Sequence, residues 1–404
     1  MALYFATLLM LIRSLVQHAA CAMLGVFLVF GNARACGPGT TGEPCAAAVG
    51  NPINVITGNK YQRETDMPAL PGVLGLEIVR HYNSDLSNPR SANGILGRGW
   101  KLGYETDLYA IGNTLQIMQA DGTRIIFSRD FLETSLCSSA NPAHGSLIII
   151  RSSRGDEYEW KQIDGKKLSF NHQGKLVQIM APTGEFVSMQ HDHKGLLVSV
   201  TDPQGRRLHL DYPGLKENMS GERFRGVQSI DSPVGRFIYS HGSEAPEGAS
   251  IADRRKLIAN LVKVSMSVGD GAAQKIEKGN ISRIYHYEDA RRPTLLTGIS
   301  IIDAGTSGKQ ASQRLSTFGY DINGKAVLSS HAGGVDKVTL DTSVGGQTIL
   351  SNSLGQKTVY RHAIVGGEFR LLEVRGAGCA LCGDANVRYA YDNLGRLTGT
   401  TRLN

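Results

Sequence analysis

The residues from Val387 to Thr398 read V-R-Y-A-Y-D-N-L-G-R-L-T, and this stretch indicates the fold of the chain. In its first five residues Val and Tyr alternate with Arg and Ala, which is the period of a half-buried β-strand. Asp392 and Gly395 then take the first and fourth positions of a turn, because Asp bonds to the backbone ahead of it and Gly accepts a positive φ. A return strand starts at Leu397, so the stretch predicts a β-hairpin.

Similar units recur along the chain, which is the main signal of a repeat architecture. Residues 170–176 and 191–197 match the quoted stretch at a spacing of 21 residues, and residues 352–356 resemble the other half of the repeat unit, the Asp-Pro-Gln-Gly turn at residues 202–205. Another copy lies at residues 320–325. The residues that define the motif in this copy and in the last one are Tyr320, Asp321, Gly324, Tyr391, Asp392, Gly395 and Arg396. A single hairpin cannot bury its apolar face, so the sequence predicts an all-β fold of stacked antiparallel β-hairpin repeats.

The Y-D-x-x-G-R-L unit resembles the YD repeat of RHS proteins. The other stretches that resemble these proteins are residues 50–61, 80–84, 97–100, 285–289, 295–299 and 331–334. The resemblance therefore extends over residues 50–404. It implies that the hairpins form part of an RHS-type spiral shell, or β-cocoon, with a small β-rich domain in front of the repeats.

RHS proteins coil their YD repeats into a hollow shell that encloses a C-terminal toxin, and many act in competition between bacteria. This chain has no counterpart of the segment that closes such a shell, with its self-cleaving aspartates, and none of the toxin domain. Self-processing and toxicity are therefore not implied for this chain. The resemblance implies the front part of a shell.

The motif positions divide the chain into six expected ranges. They are a signal peptide at 1–35, a Gly/Pro-rich linker at 36–49, an RHS-associated N-terminal β domain at 50–130, the first YD-type repeats at 131–215, an irregular insertion at 216–280, and further YD-type repeats at 281–404, truncated at the end. Trp100 is expected to anchor the core of the N-terminal domain, since large aromatic residues dominate small cores. Within the insertion, residues 250–261 show an amphipathic helical pattern.

The first 35 residues have the features of an export signal. Arg13 precedes an apolar run from Ala19 to Phe30, and Ala33-Arg34-Ala35 supplies the small residues that a signal peptidase needs. The run is shorter than the ~20 apolar residues of a membrane span. The chain is thus expected to be exported, to be secreted, periplasmic or at the cell surface, and to have no membrane span after cleavage. Lipidation of Cys36 is the alternative to ordinary cleavage.

The composition excludes some classes of partner. The net charge is +7, and it is +5 without residues 1–35, which contain two Arg and no Asp or Glu. The basic residues are scattered, and the longest run is Arg254-Arg255-Lys256. Nucleic-acid binding would need them clustered on one face, so no nucleic-acid partner is expected. The 48 glycines agree with many tight turns between short strands.

Cysteines suggest small structural links. After export, Cys36 and Cys45 flank a Gly/Pro-rich loop and are candidates for a disulfide. Cys379 and Cys382 form one C-x-x-C, and a zinc site would need a second pair that the sequence lacks. A disulfide and two buried thiols closing a turn both remain open for this pair. RHS proteins often carry Gly-Cys-x-x-Cys-Gly before a YD repeat, which implies a structural role, and Cys137 is left over.

The sequence contains no recognisable catalytic motif. G-x-S-x-G, H-E-x-x-H and the phosphate-binding G-x-x-x-x-G-K-[ST] are all absent. His191-Asp192-His193 has a metal-like composition, but it occupies the turn of a repeat, which favours a role in the turn. The chain is therefore expected not to be an enzyme and to bind neither a cofactor nor a metal.

Two functions from different classes remain. The first is a non-catalytic structural part of an exported RHS protein, the front of a β-shell that encapsulates or delivers a toxin in competition between bacteria. Its partners would be a toxin domain or a downstream repeat polypeptide, and the chain would then be a fragment of a larger shell. The alternative is a secreted or surface-associated adhesion module, with a carbohydrate, a cell-wall ligand or a partner protein on its repeat surface.

Overall fold

The structure is a computed structural model. It describes residues 47–85, 93–129, 135–214, 216–217, 223–254, 256–267, 281–303, 311–377 and 385–403. All of these residues belong to one unit of the chain, Cys36–Asn404. The expected signal peptide and the four cysteines Cys36, Cys45, Cys379 and Cys382 lie outside the described residues.

Two small sheets open the described part of the chain. The first pairs β1 (Ala48–Val49) with β2 (Ile53–Asn54), and the second has the order β3 (Tyr61–Met67), β4 (Ile78–Asn83), β5 (Trp100–Leu102). We call residues 47–106 the N-terminal segment. Its central strand β4 is buried on both faces except at His81. A strand of this kind needs packing partners on both sides, and the rest of the chain provides them.

The remaining strands form one large antiparallel sheet of 24 strands, with a separate two-stranded ribbon of β17 (Lys216–Glu217) and β18 (Arg223–Phe224). The first eleven strands of the sheet are β6 (Asp107–Ile111), β7 (Thr114–Met118), β8 (Arg124–Arg129), β9 (Leu136–Ser138), β10 (Ser146–Ser152), β11 (Gly155–Lys161), β12 (Lys167–Phe170), β13 (Leu176–Met180), β14 (Phe186–His191), β15 (Leu197–Thr201) and β16 (Arg207–Asp211). The others are β19 (Ser229–Ser232), β20 (Gly235–His241), β21 (Leu261–Ser267), β22 (Ile281–His286), β23 (Gly298–Asp303), β24 (Ala311–Tyr320), β25 (Ala326–His331), β26 (Val338–Asp341), β27 (Gln347–Ser351), β28 (Lys357–Val365), β29 (Glu368–Gly376), β30 (Val387–Tyr391) and β31 (Leu397–Arg402).

Almost every strand of the large sheet pairs with the next strand in the chain, so the sheet is a series of hairpins. The opening stretch is one of them, with Val387 opposite Arg402 and Tyr391 opposite Leu397. The prediction of an all-β fold built from antiparallel hairpins is confirmed. Side chains alternate between buried and exposed along strands such as β16 and β27, which places one face of the sheet in the core.

One irregularity recurs in the copies of the repeat. The register shifts by one residue immediately before the turn, at Phe170, His191, Tyr320 and Tyr391. An extra residue in one strand bends it and increases its twist. Four hairpins with the same shift at the same motif position therefore bend the sheet in the same way.

The range 216–280, expected to be an irregular insertion, contributes three strands to the large sheet: β19, β20 and β21. The expected amphipathic helix at 250–261 is reduced to a four-residue α-helix, Ile251–Arg254, and a 3₁₀ helix, Leu257–Ala259. The backbone of Asn260 is extended (ψ 125°) and its side chain donates to the Ser243 hydroxyl and the Pro293 carbonyl. These bonds end the helical turn where β21 begins. Two other 3₁₀ helices are Pro142–His144 and Ala332–Gly334.

The N-terminal segment bonds to parts of the large sheet that are far apart in the sheet order. The first of these parts are the turns after β7 and β15, where Asn83 donates to the Asp121 carbonyl at 2.9 Å and Leu76 to Asp202 at 3.4 Å. The other parts are β22, β25 and β27, each of which also bonds to the segment. A flat sheet cannot bring strands so distant to one small segment, so the sheet curves around it. One hydrophobic cluster accordingly includes Trp100 of the segment and residues of the large sheet. No helix among the described residues is long and apolar enough to cross a membrane.

Candidate functional site at the junction of the N-terminal segment and the sheet

A row of polar side chains follows one face of β3 and is buried against the large sheet. Its members are Lys60, Gln62, Glu64 and Asp66, which alternate along the strand. Lys60 is fully buried, Glu64 is 7% exposed, and the Asp66 side chain is 2% exposed. Charged groups are rarely buried unless they are paired, so the partners of this buried polar row decide what it does.

Asp66 is paired with Arg80 of the neighbouring strand. Arg80 Nε lies 2.6 Å from Asp66 Oδ2 and Arg80 Nη2 lies 2.8 Å from Oδ1, a two-pronged pairing of planar groups. The same Nη2 donates to the Tyr285 hydroxyl of β22 at 2.6 Å, and the Tyr239 hydroxyl of β20 donates to Asp66 at 2.9 Å. Burial alone would lower the pKa of Arg80, but Asp66 and Tyr285 outweigh it and raise that pKa above its usual value. Arg80 therefore keeps its charge, and the pair is joined to two strands of the sheet.

Aromatic rings enclose the Arg80 guanidinium. Its carbon lies 4.9 Å from the ring centre of Trp100, 5.2 Å from that of Tyr285 and 6.0 Å from that of Tyr239. A guanidinium over an aromatic face is stabilised by the ring quadrupole, more strongly where water is excluded. Trp100 thus lies in the core, as expected, and its indole N–H donates to the Tyr287 hydroxyl at 3.3 Å.

Lys60 is at the other end of the row. Its ammonium donates to the Tyr61 carbonyl and to Gln62 Oε1 (2.9 Å), and it lies 4.2 Å from the ring centre of Phe318 in β24. Burial lowers the pKa of Lys60 well below its usual value, although the charge of Glu64 acts in the opposite direction. The Gln62 amide in turn donates a hydrogen bond to Glu64 Oε1 at 2.9 Å, which extends the network along β3.

Arg283 of β22 completes the network from the side of the sheet. Its Nη1 lies 3.1 Å from Glu64 Oε2 and 3.7 Å from Asp66 Oδ1. The buried polar row and its partners thus form a continuous chain of contacts from Lys60 to Arg80. The charged groups of β3 and β4 are buried, and Arg283, which is 37% exposed, contacts them from the sheet, so the arrangement is suited to fixing the position of β3 against the sheet.

Tyrosine hydroxyls connect the same regions through the backbone. Tyr82 of β4 accepts a hydrogen bond from the amide of Leu296 at 2.9 Å, and the Tyr320 hydroxyl donates to the Leu296 carbonyl at 2.7 Å. The Tyr287 hydroxyl donates in the same way to the Leu261 carbonyl at 3.0 Å. Tyr320 was singled out in the sequence as a motif residue, and here it joins its own hairpin to the segment before β23.

Asp321 and Gly324, the other two motif residues in this copy, form a hydrogen-bonded turn. The Asp321 side chain accepts from the amides of Asn323 (2.8 Å) and Lys325 (2.9 Å), and the Gly324 amide donates to the Asp321 carbonyl at 3.1 Å. Gly324 has a φ of 84°, in the left-handed region that favours Gly. The motif therefore encodes the turn through two residues with separate roles, the side-chain acceptor of Asp321 and the positive φ of Gly324.

The last copy repeats this geometry. Asp392 accepts from the amides of Leu394 (3.0 Å) and Arg396 (2.9 Å), and Gly395 has a φ of 75°. The Arg396 side chain folds back onto Asp392 at 2.6 Å. The Tyr391 hydroxyl donates to the Leu371 carbonyl of β29 at 2.8 Å, which connects this hairpin to the one before it.

His191-Asp192-His193 has the same turn conformation. Asp192 accepts from the amides of Lys194 and Leu196 at 2.8 and 2.9 Å. In the described part of the chain, no three His, Cys, Asp or Glu side chains lie close enough together to hold a metal ion. Cys137 is a buried thiol on β9, and burial raises its pKa.

Apart from Lys60, the buried polar row lies outside the sequence motifs described above. The available signal was a strand with polar residues at every second position, from Lys60 to Asp66, immediately before the apolar strand β4. Alternation of this kind ordinarily indicates a face in water. Nothing in the local sequence shows that this face meets Arg283, Tyr285 and Tyr239, which are at least 170 residues further along the chain.

Acidification is expected to weaken the same region through His81 of β4. Its Nδ1 lies 2.7 Å from the Tyr61 hydroxyl, and burial lowers the pKa of His81 from 6.5 to about 4, although Asp121 opposes the shift. The unfolded chain binds this proton near pH 6.5 and the folded chain only near pH 4. The stability from a neutral His81 is therefore complete above pH 6.5 and is lost as the pH falls to about 4.

We expect the wild-type chain to lose ~1–3 kcal/mol more than His81→Gln between pH 7 and pH 4.5, since each pKa unit corresponds to ~1.4 kcal/mol. Urea unfolding at the two pH values measures the difference. Other acidic and basic groups titrate in both proteins, so their contributions cancel in the comparison. Equal losses for the two proteins would contradict the assignment.

Comparison with known proteins places the chain near toxins. Residues 50–127 match a family model described as a domain of unknown function, DUF6531. The chain is 26% identical over 216 residues to double-stranded DNA deaminase toxin A of Burkholderia cenocepacia (strain H111), a match that covers 50% of this chain and 14% of that protein. The chain thus spans 14% of the length of this curated relative.

Two solved structures match most of the chain at low similarity. The Photorhabdus luminescens Tc holotoxin pore has a TM-score of 0.22 and 8% identity, over 87% of this chain and 23% of that one. The N-terminal domain of the effector SpvB from Salmonella typhimurium strain LT2 has a TM-score of 0.19 and 12% identity, over 78% of this chain and 97% of that domain. The sequence likeness to a toxin thus comes from the curated relative and covers 14% of it.

Proposed function

We propose that the chain is a non-catalytic part of an RHS-type β-shell, the front of a wall that encloses or delivers a toxin. The carrying observation is the 24-strand antiparallel sheet that curves around the N-terminal segment and is joined to it by the buried polar row. Its groups are engaged with one another rather than presented to a substrate. Contacts of this kind between the sheet and the N-terminal segment would hold the curvature of the sheet, which a shell wall needs.

The comparisons support a connection with toxins. The family model covers the N-terminal segment and the first strands of the sheet, and the curated relative carries the word toxin in its name. The deaminase activity named for that relative is not proposed for this chain, because the match covers 14% of it. In the proposal this chain forms part of the shell wall, and a different polypeptide carries the toxic activity.

The same proposal assigns roles to ranges that the structure leaves undescribed. Residues 1–35 would direct export and be removed, and residues 36–46 would link them to the N-terminal segment, which already includes residues 47–49 of the expected linker. Cys379 and Cys382 would close a turn before β30. The partner would be a toxin domain or a further repeat polypeptide, and the setting would be competition between bacteria.

Protection of a partner from protease tests the proposal. The full chain is co-expressed with the polypeptide encoded directly downstream in its own genome, purified through a tag on the chain, and treated with proteinase K. We expect the downstream polypeptide to co-purify and to yield a resistant fragment. In complexes with Arg80→Met this fragment should become digestible, because the wall loses the contact that holds it to the N-terminal segment.

Arg63→Met is the matched control for this experiment. Arg63 lies on the opposite face of β3, is exposed, and bonds within its own strand to Thr65. Protection should therefore persist in the Arg63→Met complex. The shell proposal would be overturned if the downstream polypeptide did not co-purify with the chain. Binding of the purified chain to cell walls or glycans would then favour the adhesion module.

A further inference from the structure

A cavity of about 330 Å³ lies where the N-terminal segment runs into the large sheet. Its walls come from the end of the segment, from the first strand β6, and from the turns that follow β12 and β14. Five titratable side chains that line it could bind a ligand: those of Lys101, Asp107, Tyr109, Lys175 and His191. Its volume is at the lower end of the range for small-molecule sites, ~300–1,000 Å³.

Asp107 lies between two lysines. Lys175 Nζ is 2.7 Å from Asp107 Oδ1, and Lys101 Nζ is 3.3 Å from Oδ2. Burial alone would raise the pKa of Asp107, but the two ammonium groups outweigh it and lower that pKa. An ammonium has three N–H donors, so each lysine has donors beyond the one that it gives to Asp107. The Lys175 side chain is 36% exposed, which leaves it open to a ligand.

The turn sequence explains why Lys175 faces the cavity. Arg206 and Arg396 occupy the equivalent position of their turns and fold back onto Asp202 (2.7 Å) and Asp392 (2.6 Å). The turn of Lys175 begins with Asn171, whose amide carries no charge and accepts only backbone N–H groups. Lys175 is therefore not bound to its own turn and extends to Asp107.

His191 contributes a second observation. Its Nδ1 atom is buried, and it has no hydrogen-bond partner in the part of the chain that the structure describes. Burial and the charge of Lys175 lower the pKa of His191, so the ring is neutral at pH 7. A buried nitrogen without a partner carries a desolvation penalty, which a ligand bonded to it would recover.

The remaining acid of the cavity does not offer a free acceptor. Glu105 accepts the amide of Ile95 at 2.9 Å with one oxygen and the amide of Leu102 at 2.6 Å with the other. Both oxygens of Glu105 are thus engaged with the backbone, and the N–H donors that remain in the cavity are those of Lys101 and Lys175. Its floor includes Met118, Leu176 and Leu197, and Tyr109 stands 47% exposed at its rim, which suits a compact ligand with an apolar or ring-shaped body.

We propose that this cavity binds a small molecule that carries a carboxylate, with the carboxylate against the ammonium groups of Lys101 and Lys175. The two acids of the cavity are already hydrogen-bonded or ion-paired, whereas Lys101 and Lys175 keep N–H donors that Asp107 does not take, and a carboxylate is the acceptor that bonds most strongly to such donors. The body of the ligand lies over the apolar floor and within reach of His191. Acid sugars and peptide C-termini both offer this chemistry. The inference does not depend on the shell, since none of the five residues belongs to the buried polar row.

Two matched pairs of ligands test the charge and the source. The full chain is titrated with glucuronate against glucose, and with N-acetylalanine against N-acetylalaninamide, and affinities are measured by saturation-transfer NMR. We expect at least one acid to bind about tenfold more tightly than its neutral partner. A preference in the sugar pair indicates an acid sugar, and one in the alanine pair indicates a peptide terminus. Equal affinities in both pairs would overturn the proposal.

Variants place the ligand in the cavity. Lys175→Met should weaken binding of the preferred acid about tenfold, because it removes one charged partner. Lys166→Met is the control, since Lys166 has the equivalent position in the turn of residues 162–166 and does not line the cavity. His191→Phe keeps an aromatic ring without the nitrogen and should weaken binding even if Lys175→Met folds poorly. The assignment would be refuted if His191→Phe and a folded Lys175→Met both bound the preferred acid with the affinity of the wild type.

Discussion

Arg80→Met is expected to destabilise the full chain by about 3–5 kcal/mol, the usual cost of removing one partner from a buried ion pair. The Asp66 side chain is 2% exposed, so without Arg80 its negative charge has only the Tyr239 hydroxyl and the more distant Arg283. Tyr285 loses its guanidinium partner at the same time. Guanidinium-induced unfolding followed by tryptophan fluorescence measures the loss, because Trp100 lies 4.9 Å from the Arg80 guanidinium.

Two further variants separate charge burial from a general effect of mutation. Arg63→Met removes an exposed Arg from the face of β3 opposite Asp66, and its cost should remain within ~0.5 kcal/mol. Arg80→Met combined with Asp66→Leu removes both charges and should be more stable than Arg80→Met alone, since no uncompensated charge remains. An Arg80→Met chain as stable as Arg63→Met would show that the pair does not fix the segment to the sheet.

The physical reasons for the correct predictions are local. Asp392 and Gly395 encode their turn through a side-chain acceptor and a positive φ, and both effects act within five residues. The flanking alternation of Val387 and Tyr389 then fixes which side chains are buried. Local rules of this kind were sufficient to predict the hairpins, their stacking and the all-β class.

The interactions that the sequence did not reveal are long-range. Asp66 bonds to Tyr239, and Arg80 to Tyr285, only because the sheet curves back to β3 after more than 150 residues. The same alternation of polar residues would have been read as a solvent-facing strand in a flat sheet. Residues 216–280 also differ from the expected irregular insertion, because their polar pattern conceals β19 and β20, which the ladder hydrogen bonds of their neighbours hold in the sheet.

Gly174→Ala is expected to cost more than the same change at Gly205, although the two glycines occupy equivalent turns with φ values of 72° and 78°. In both, a side chain in the left-handed region costs ~1–2 kcal/mol. A Cβ at Gly174 would also lie 2.0 Å from the backbone oxygen of Leu108, whereas one at Gly205 would meet nothing within 4 Å. Backbone atoms cannot move aside as a flexible side chain does, so Gly174→Ala should lose a further ~1–3 kcal/mol.

The local consequence distinguishes this clash from a general loss of stability. The Leu108 amide donates to the Gly174 carbonyl at 2.8 Å, which holds the start of β6 against the turn. Hydrogen exchange at Leu108 should accelerate in Gly174→Ala and remain at the wild-type rate in Gly205→Ala after correction for global stability. Equal unfolding free energies with equal exchange at Leu108 would mean that the turn does not support β6. Because Lys175 follows Gly174, the same displacement should also separate Lys175 from Asp107 and weaken the carboxylate site.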